Sequence, residues 1–181
     1  GGVVEEGYEY VRETRPGARA VEEYLADRED TLLITWRNAA RMSANKAIRA
    51  KLGHEGPLPD DGEPVLVRRN SQDFMNGEII PCGGWEEGPV LDSLRTLWMT
   101  VGDGSGRKIL ATVEGGERGK GGEPFDGGQP WVENWRKFHS QLRAGQYPIP
   151  IPLTWGYVIT CHAGQGSQAR RTIVFLEPGD D

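Results

Sequence analysis

The sequence is poor in cysteine and in long apolar runs. Among 181 residues only Cys82 and Cys161 are cysteines, and they form neither a CxxC pair nor a cluster with histidine. This excludes a disulfide framework and a cysteine-based zinc site, and it is typical of a protein from a reducing, cytosolic compartment. No apolar segment approaches the roughly 20 residues that span a bilayer. We therefore expect no membrane partner.

The sequence also lacks the complete motifs of several phosphate chemistries. A cysteine phosphatase needs Arg six positions after its nucleophile, but Ser167 stands there after Cys161. The nearest match to a Walker A loop has Glu114 in place of the first glycine and Gly121 in place of the Ser or Thr. No Ser/His/Asp set and no carboxylate pair stands out. Accordingly, we predict no catalytic residue and no metal ligand in this chain.

Charge and glycine are unevenly distributed along the chain. The formal net charge is −6, yet residues 31–52 carry five basic side chains and no acidic one. Residues 1–30 carry nine acidic and four basic side chains. The stretch 81–150 holds 14 of the 26 glycines. Bulk charge therefore argues against general nucleic-acid binding but leaves room for a local basic site. The absence of an initial Met suggests a fragment or a processed piece.

Hydrophobic patterns predict α/β structure at both ends of the chain and β structure in the middle. Buried strands are expected at TLLIT, PVLVRRN, GYVITCH and RTIVFLE, and a helix is expected after TLLIT with Gly53 as its stop. In the middle, LRTLWMTV and RKILATVE read as antiparallel strands around GDGSG, and a helix is expected over 131–144. The predicted domains are 1–80 and 151–181, which form one α/β domain, and 81–150, an inserted β-rich module.

The segment YVITCHAGQGSQ has the most chemical content. A buried strand delivers Thr160 and His162 to its carboxyl end, and a glycine-rich turn follows at 164–167. Ligands of open α/β sheets bind outside the carboxyl ends of the strands, where glycines let backbone N–H groups approach phosphate oxygens. A tight turn with a hydrogen-bonded histidine explains the same residues without a ligand.

Two further segments could contact phosphates. The helix after TLLIT carries Arg41, Lys46, Arg49 and Lys51, although a solvated face is the usual meaning of such a run. In RRNSQDFMNGEI, Asn70 ends a strand and Asn76 begins a strong Asn-Gly turn signal. A hairpin with polar ends accounts for this second segment equally well.

In order, the stretches TLLITWRNAARMSANKAIR, GEPVLVRRNSQDFMNGEI and LTWGYVITCHAGQGSQ resemble one family. They are similar to the C-terminal motor domain of superfamily 1 RecD-like DNA helicases, the branch that includes the exonuclease V alpha subunit. The resemblance covers about 31–80 and 151–177. In that family a small SH3-like module is inserted between the second and third stretches. Where the family usually has Lys, this sequence has Ala163.

The resemblance implies a RecA-like α/β motor domain with a parallel sheet, interrupted by an SH3-like insertion. It implies ATP and Mg²⁺ as cofactors, held mainly by a first motor domain that this sequence lacks, so that the chain alone is inactive. Single-stranded DNA and that first motor domain are the implied partners, in DNA repair or recombination in the cytoplasm of a bacterial or phage-infected cell. Its implied nucleotide-binding residues are Arg37, Asn38, Gln165, Gly166 and Ser167, and its implied DNA-binding residues are Asn70, Asn76, Thr160 and His162.

Two other functions stay open on the residues alone. The chain could be a non-enzymatic module that binds single-stranded nucleic acid through its basic helix and its inserted β module. It could also be an α/β protein that binds a small phosphorylated ligand at the 164–167 turn. Aromatic side chains of the middle region, such as Trp85 and Trp98, could stack on bases, although a small core explains them more simply.

Overall fold

The computed structural model of the protein describes residues 4–5, 8–9, 15–92, 94–112, 134–165 and 169–176. Three helices lie in these ranges: α1 (Pro16–Ala26), α2 (Asn38–Leu52) and α3 (Trp135–Ala144). The strands are β1 (Val4–Glu5), β2 (Tyr8–Glu9), β3 (Thr31–Thr35), β4 (Pro64–Val67), β5 (Ile79–Leu91), β6 (Leu94–Val101), β7 (Lys108–Thr112), β8 (Ile151–Trp155), β9 (Val158–Thr160) and β10 (Arg171–Phe175).

Three of the strands form a small parallel sheet in the order β10-β3-β9. Both α1 and α2 pack on one face of this sheet, because alternate strand residues such as Leu33, Val158 and Phe175 are buried against them. Gly53 ends α2 in the left-handed conformation, as the sequence predicts. The other face of β10 leaves Val174 exposed.

Five strands form a closed barrel in the order β4-β5-β6-β7-β8. Every pair is antiparallel except β7 and β8, which are parallel. The barrel is filled by residues that alternate along each strand, which is the period-two pattern expected of inward-facing positions. These include Val65, Val67, Ile80, Cys82, Leu97, Met99, Val101, Ile109, Ala111, Ile151, Leu153 and Trp155.

A smaller core closes the outside of the barrel at the β5–β6 hairpin. Phe138 and Leu142 of α3 pack there on Leu91, Leu94 and Leu110. Phe138 and Leu142 are two of the residues that the helical pattern places on one face of α3.

The barrel and the parallel sheet are joined by a very short connection between β8 and β9. The Gly156 amide donates to the Pro64 carbonyl oxygen at 2.8 Å. A Cβ at Gly156 would lie 3.0 Å from the backbone of Pro64, so only glycine allows this close approach without a shift. The start of β4 and the start of β9 are consequently held against each other.

The predicted fold class is wrong. A RecA-like α/β motor domain should contain a large parallel sheet with helices, whereas the described chain is mostly β: a closed, mixed five-stranded barrel beside a three-stranded parallel sheet, with three short helices. PVLV was expected as a buried strand of the α/β domain, but it pairs with β5 and β8 in the barrel. A short, continuous apolar run is compatible with a strand of a parallel sheet and with a strand of a barrel. Its local pattern therefore could not decide which of the two this strand joins.

The proposed boundaries at 80/81 and 150/151 stay predictions. The barrel takes β4 from before the first boundary and β8 from after the second. No helix in the described part of the chain is both long enough and apolar enough to cross a bilayer.

Candidate nucleic-acid interface

The carboxyl ends of the three parallel strands meet at one edge of the sheet. In the strand register, Thr35 lies between Thr160 and Phe175. The Cys161 amide donates to the Thr35 carbonyl oxygen at 3.0 Å, which extends the pairing beyond β9. Arg37 and the 161–165 turn therefore leave the sheet at the same edge, which is where open α/β sheets place their ligands.

The N-terminus of α2 lies at this edge and is suited to an anion. Arg37 is the N-cap residue, and its side chain does not cap the first turn. The exposed Asn38 begins the helix, and its side-chain oxygen accepts from Nε of Arg41 at 3.3 Å. The first N–H groups of a helix have no partner within the helix and carry a partial positive charge. Arg37 and Asn38 thus lie at the carboxyl edge of the sheet, and their role in nucleotide binding stays a prediction.

A buried hydroxyl points to the same edge. Thr35 is fully buried at the end of β3, and its Oγ1 has no hydrogen-bond partner among the described residues. An unsatisfied buried hydroxyl is costly, so such an atom invites an explanation. Its position beside the α2 N-terminus is consistent with a ligand contact there.

The Asn-Gly turn before β5 packs directly on the segment after β9. Gly77 has a φ of +93°, and a Cβ there would lie only 2.6 Å from the Ala163 carbonyl oxygen. Two segments about 86 positions apart in sequence, 163 − 77, are thereby brought into contact. The absence of a side chain at Gly77 is what permits this contact.

The predicted DNA-binding residues Asn70 and Asn76 meet in this turn. The Asn76 amide donates to the Asn70 side-chain oxygen at 2.7 Å, and both side chains are exposed. Asn70 therefore shapes the turn, and Asn76 is presented at its tip. Arg68 lies at the base of the turn, half-buried, and burial lowers the pKa of its guanidinium.

The other predicted residues follow β9. The Thr160 carbonyl oxygen accepts from the Gly164 amide at 2.9 Å, and its hydroxyl oxygen accepts from the Ala163 amide at 3.4 Å. Thr160 therefore builds the turn, while His162 and Gln165 are exposed on it. The predicted residues Gly166 and Ser167 lie outside the described residues.

The structure gives the polar face of α2 a different role from the phosphate contact considered above. Asn45 is buried; its amide donates to the Val158 carbonyl oxygen at 3.0 Å and its oxygen accepts from the Val158 amide at 3.1 Å. Arg41 is also buried and donates to the Thr154 hydroxyl at 3.1 Å. The spacing could have indicated this buried role. Arg41, Asn45 and Arg49 recur every four residues, and the buried apolar residues of α2, Ala44 and Ile48, lie beside them.

Arg49 belongs to a buried network that sequence reasoning missed. Its Nε and Nη2 donate to the two oxygens of Glu63 at 2.8 and 2.9 Å. The Tyr157 hydroxyl donates to the same carboxylate at 3.0 Å, and the Asp60 amide donates to it at 2.6 Å. Burial, then the Glu63 charge, raises the pKa of Tyr157 far above its ordinary value. No local pattern links Arg49 to Glu63.

The same corner brings together a possible set of metal ligands. Ligand atoms of His54, Asp60 and Glu63 lie within 4.8 Å of one another. However, Glu63 already accepts four hydrogen bonds, which fill the lone pairs of a carboxylate, and two come from the Arg49 cation. A metal would have to displace Arg49, so this cluster is an ion-pair network that fastens α2 to the start of β4.

The two tryptophans considered for base stacking contribute to cores. Trp85 packs against the barrel interior and donates from Nε1 to the Pro59 carbonyl oxygen at 2.8 Å. Trp98 packs against the small core under α3. Packing, rather than stacking on bases, accounts for both.

No protein-family model matches this chain, and no match is found among curated proteins.

Proposed function

We propose that this chain is part of an ATP-dependent DNA helicase and that it contacts single-stranded DNA at the sheet edge next to the Asn70–Gly77 turn. One observation carries the proposal. The third stretch behind the family resemblance lies far from the first two in sequence. It nevertheless meets both of them at one edge, through the Gly77–Ala163 contact and the pairing of Thr35 with Thr160. This convergence supports a common site for the three stretches.

The DNA strand would lie over the turns that carry Asn76 and His162. Both side chains are exposed, and an amide and an imidazole can each donate to phosphate oxygens. Arg68 and Arg69 at the base of the turn add positive charge. This contact is local, which reconciles it with the net charge of −6.

The nucleotide would approach the same edge from the side of α2. Arg37, Asn38 and the first N–H groups of α2 would face its terminal phosphate, and Thr35 could supply its unpaired hydroxyl. The described residues that follow β3 and β9, at 36–38 and 161–165, include no carboxylate. Another domain would therefore hold Mg²⁺ and the remaining phosphates, and the bound ATP would supply the energy for movement.

A fluorescent oligo(dT) titrated with this chain tests the DNA contact by anisotropy. We expect binding at low salt that weakens as salt rises. His162→Ala and Asn76→Ala should each lower the affinity about tenfold, as expected for loss of a hydrogen bond to a charged group. Thr172→Ala, an exposed polar change near the amino end of β10, serves as the matched control and should bind like the wild type.

A non-enzymatic single-strand-binding module is the second candidate, favoured by the closed five-stranded barrel. ATP hydrolysis and ATP-driven strand separation distinguish the two candidate functions. In a full-length protein that contains this chain, the helicase requires DNA-stimulated ATP hydrolysis and strand separation, both lost in His162→Ala. Oligonucleotide binding without any such activity would favour the module, and absence of binding at low salt would refute both.

A further inference from the structure

The outer face of α3 presents basic side chains that no part of the site above uses. Arg136, His139, Ser140 and Arg143 recur at i, i+3, i+4 and i+7, so they share one face, and all four are exposed. They line a concave space of about 400 Å³. Within the described residues, neither Arg136 nor Arg143 takes part in an ion pair. We call these four residues the α3 basic face.

The helix that carries this face is held firmly on the barrel. Phe138 and Leu142 bury its opposite side. Asp92, in the β5–β6 turn, accepts from the Asn134 amide at 2.7 Å and pairs with Lys137 at 3.2 Å. The Asp92 amide donates in turn to Gln141. The two arginines are thus presented by a fixed scaffold, which lowers the cost of ordering them around a ligand.

The chemistry of the face favours phosphate groups in a row. A guanidinium donates two parallel hydrogen bonds to phosphate oxygens, and the Ser140 hydroxyl adds another donor. Arg136 and Arg143 are seven residues apart, which places their Cα atoms about 10 Å apart along the helix axis. That separation suits two phosphates of one strand better than one small phosphate ion.

We propose that the α3 basic face binds the phosphodiester backbone of single-stranded DNA, as a second contact beyond the sheet edge. The proposal rests on the proposed function, since it assigns the same strand to both places. β5 connects them: it begins just after Gly77 and ends at Leu91, in the core under α3. Its 13 residues limit the separation along the strand to about 40 Å.

The experiment compares the wild type with Arg136→Ala/Arg143→Ala by anisotropy on oligo(dT) of about 6 and about 30 nucleotides, one near the lower end and one above the usual footprint of about 4–16 nucleotides. Arg95→Ala/Lys108→Ala is the matched control, because it also removes two exposed positive charges from the barrel. Circular dichroism checks that all variants are folded.

We expect the α3 double variant to lose affinity for the long oligonucleotide but not for the short one. Loss of two phosphate contacts should reduce the salt slope by about 1.4. Between 50 and 200 mM salt the wild type should then lose about sevenfold more affinity than the variant. The control should keep the wild-type slope.

The other outcomes are equally decisive. Equal slopes for the α3 variant and the control would overturn the proposal while leaving the sheet-edge site intact. Displacement of DNA by pyrophosphate, or by polyglutamate at equal charge, would assign the face to small phosphates or to an acidic protein and would also overturn it. If only the α3 variant weakened binding and His162→Ala did not, the sheet-edge site would fail instead. If the wild type bound no DNA, both proposals would fall.

Discussion

Replacing Gly77 with alanine should destabilise the protein and disrupt the candidate interface. At a φ of +93° an L-residue costs about 1–2 kcal/mol relative to glycine. The new Cβ would also lie 2.6 Å from the Ala163 carbonyl oxygen, a backbone atom that cannot rotate away. Overpacking of this kind adds about 1–3 kcal/mol. We therefore expect the free energy of unfolding to fall by about 2–5 kcal/mol, the sum of the two costs.

Gly104→Ala separates the two contributions. Gly104 has a φ of +78° in the β6–β7 turn, but no heavy atom lies within 4 Å of the position its Cβ would take. It should lose only the conformational cost of about 1–2 kcal/mol. Urea unfolding of both variants measures the difference, and oligo(dT) anisotropy should show weaker binding for Gly77→Ala alone. Equal destabilisation of the two variants, with unchanged DNA affinity, would refute the Gly77–Ala163 contact as the basis of the site.

Two further predictions concern the buried network. Glu63→Gln leaves the Arg49 cation buried without a countercharge and should lower the unfolding free energy by about 3–5 kcal/mol, measured by urea unfolding; a loss below about 1 kcal/mol would contradict the burial of the pair. The pKa of Tyr157 is raised in the folded state, so the unfolded chain releases this proton first and stability falls as pH rises above about 10. Tyr157→Phe should flatten this decline in thermal unfolding between pH 9 and 11, and an unchanged slope would exclude Tyr157 as its source.

Local patterns were sufficient for most individual elements. TLLIT and LRTLWMTV are strands with the expected bounds, at Thr31–Thr35 and Leu94–Val101. The helix after TLLIT ends at Leu52, before Gly53. Apolar periodicity and the conformational preferences of glycine act over a few residues, and a sequence displays both. Most of β8 lies in the proline-rich segment YPIPIPLT, and it was not predicted because its partners β4 and β7 are distant in sequence.

The candidate site was predictable in its residue types but not in its construction. Exposed Asn76 and His162 could be identified from turn and strand-end signals. That Asn70 and Thr160 serve the turns themselves follows from hydrogen bonds that the sequence does not reveal. The role of Arg49 was likewise hidden, since its partner Glu63 is 14 residues away across a loop.

The sequence alone determined where most of the strands and helices lie, the uneven placement of charge, and the three stretches that resemble a helicase. Tertiary structure decided which sheet each strand joins, and hence that the chain is mostly β rather than a RecA-like α/β domain. It also decided that the Gly77 turn rests on Ala163. The physical reason is the same in both cases: strand pairing and close packing depend on residues far apart in sequence, and a local pattern compatible with several partners does not select among them.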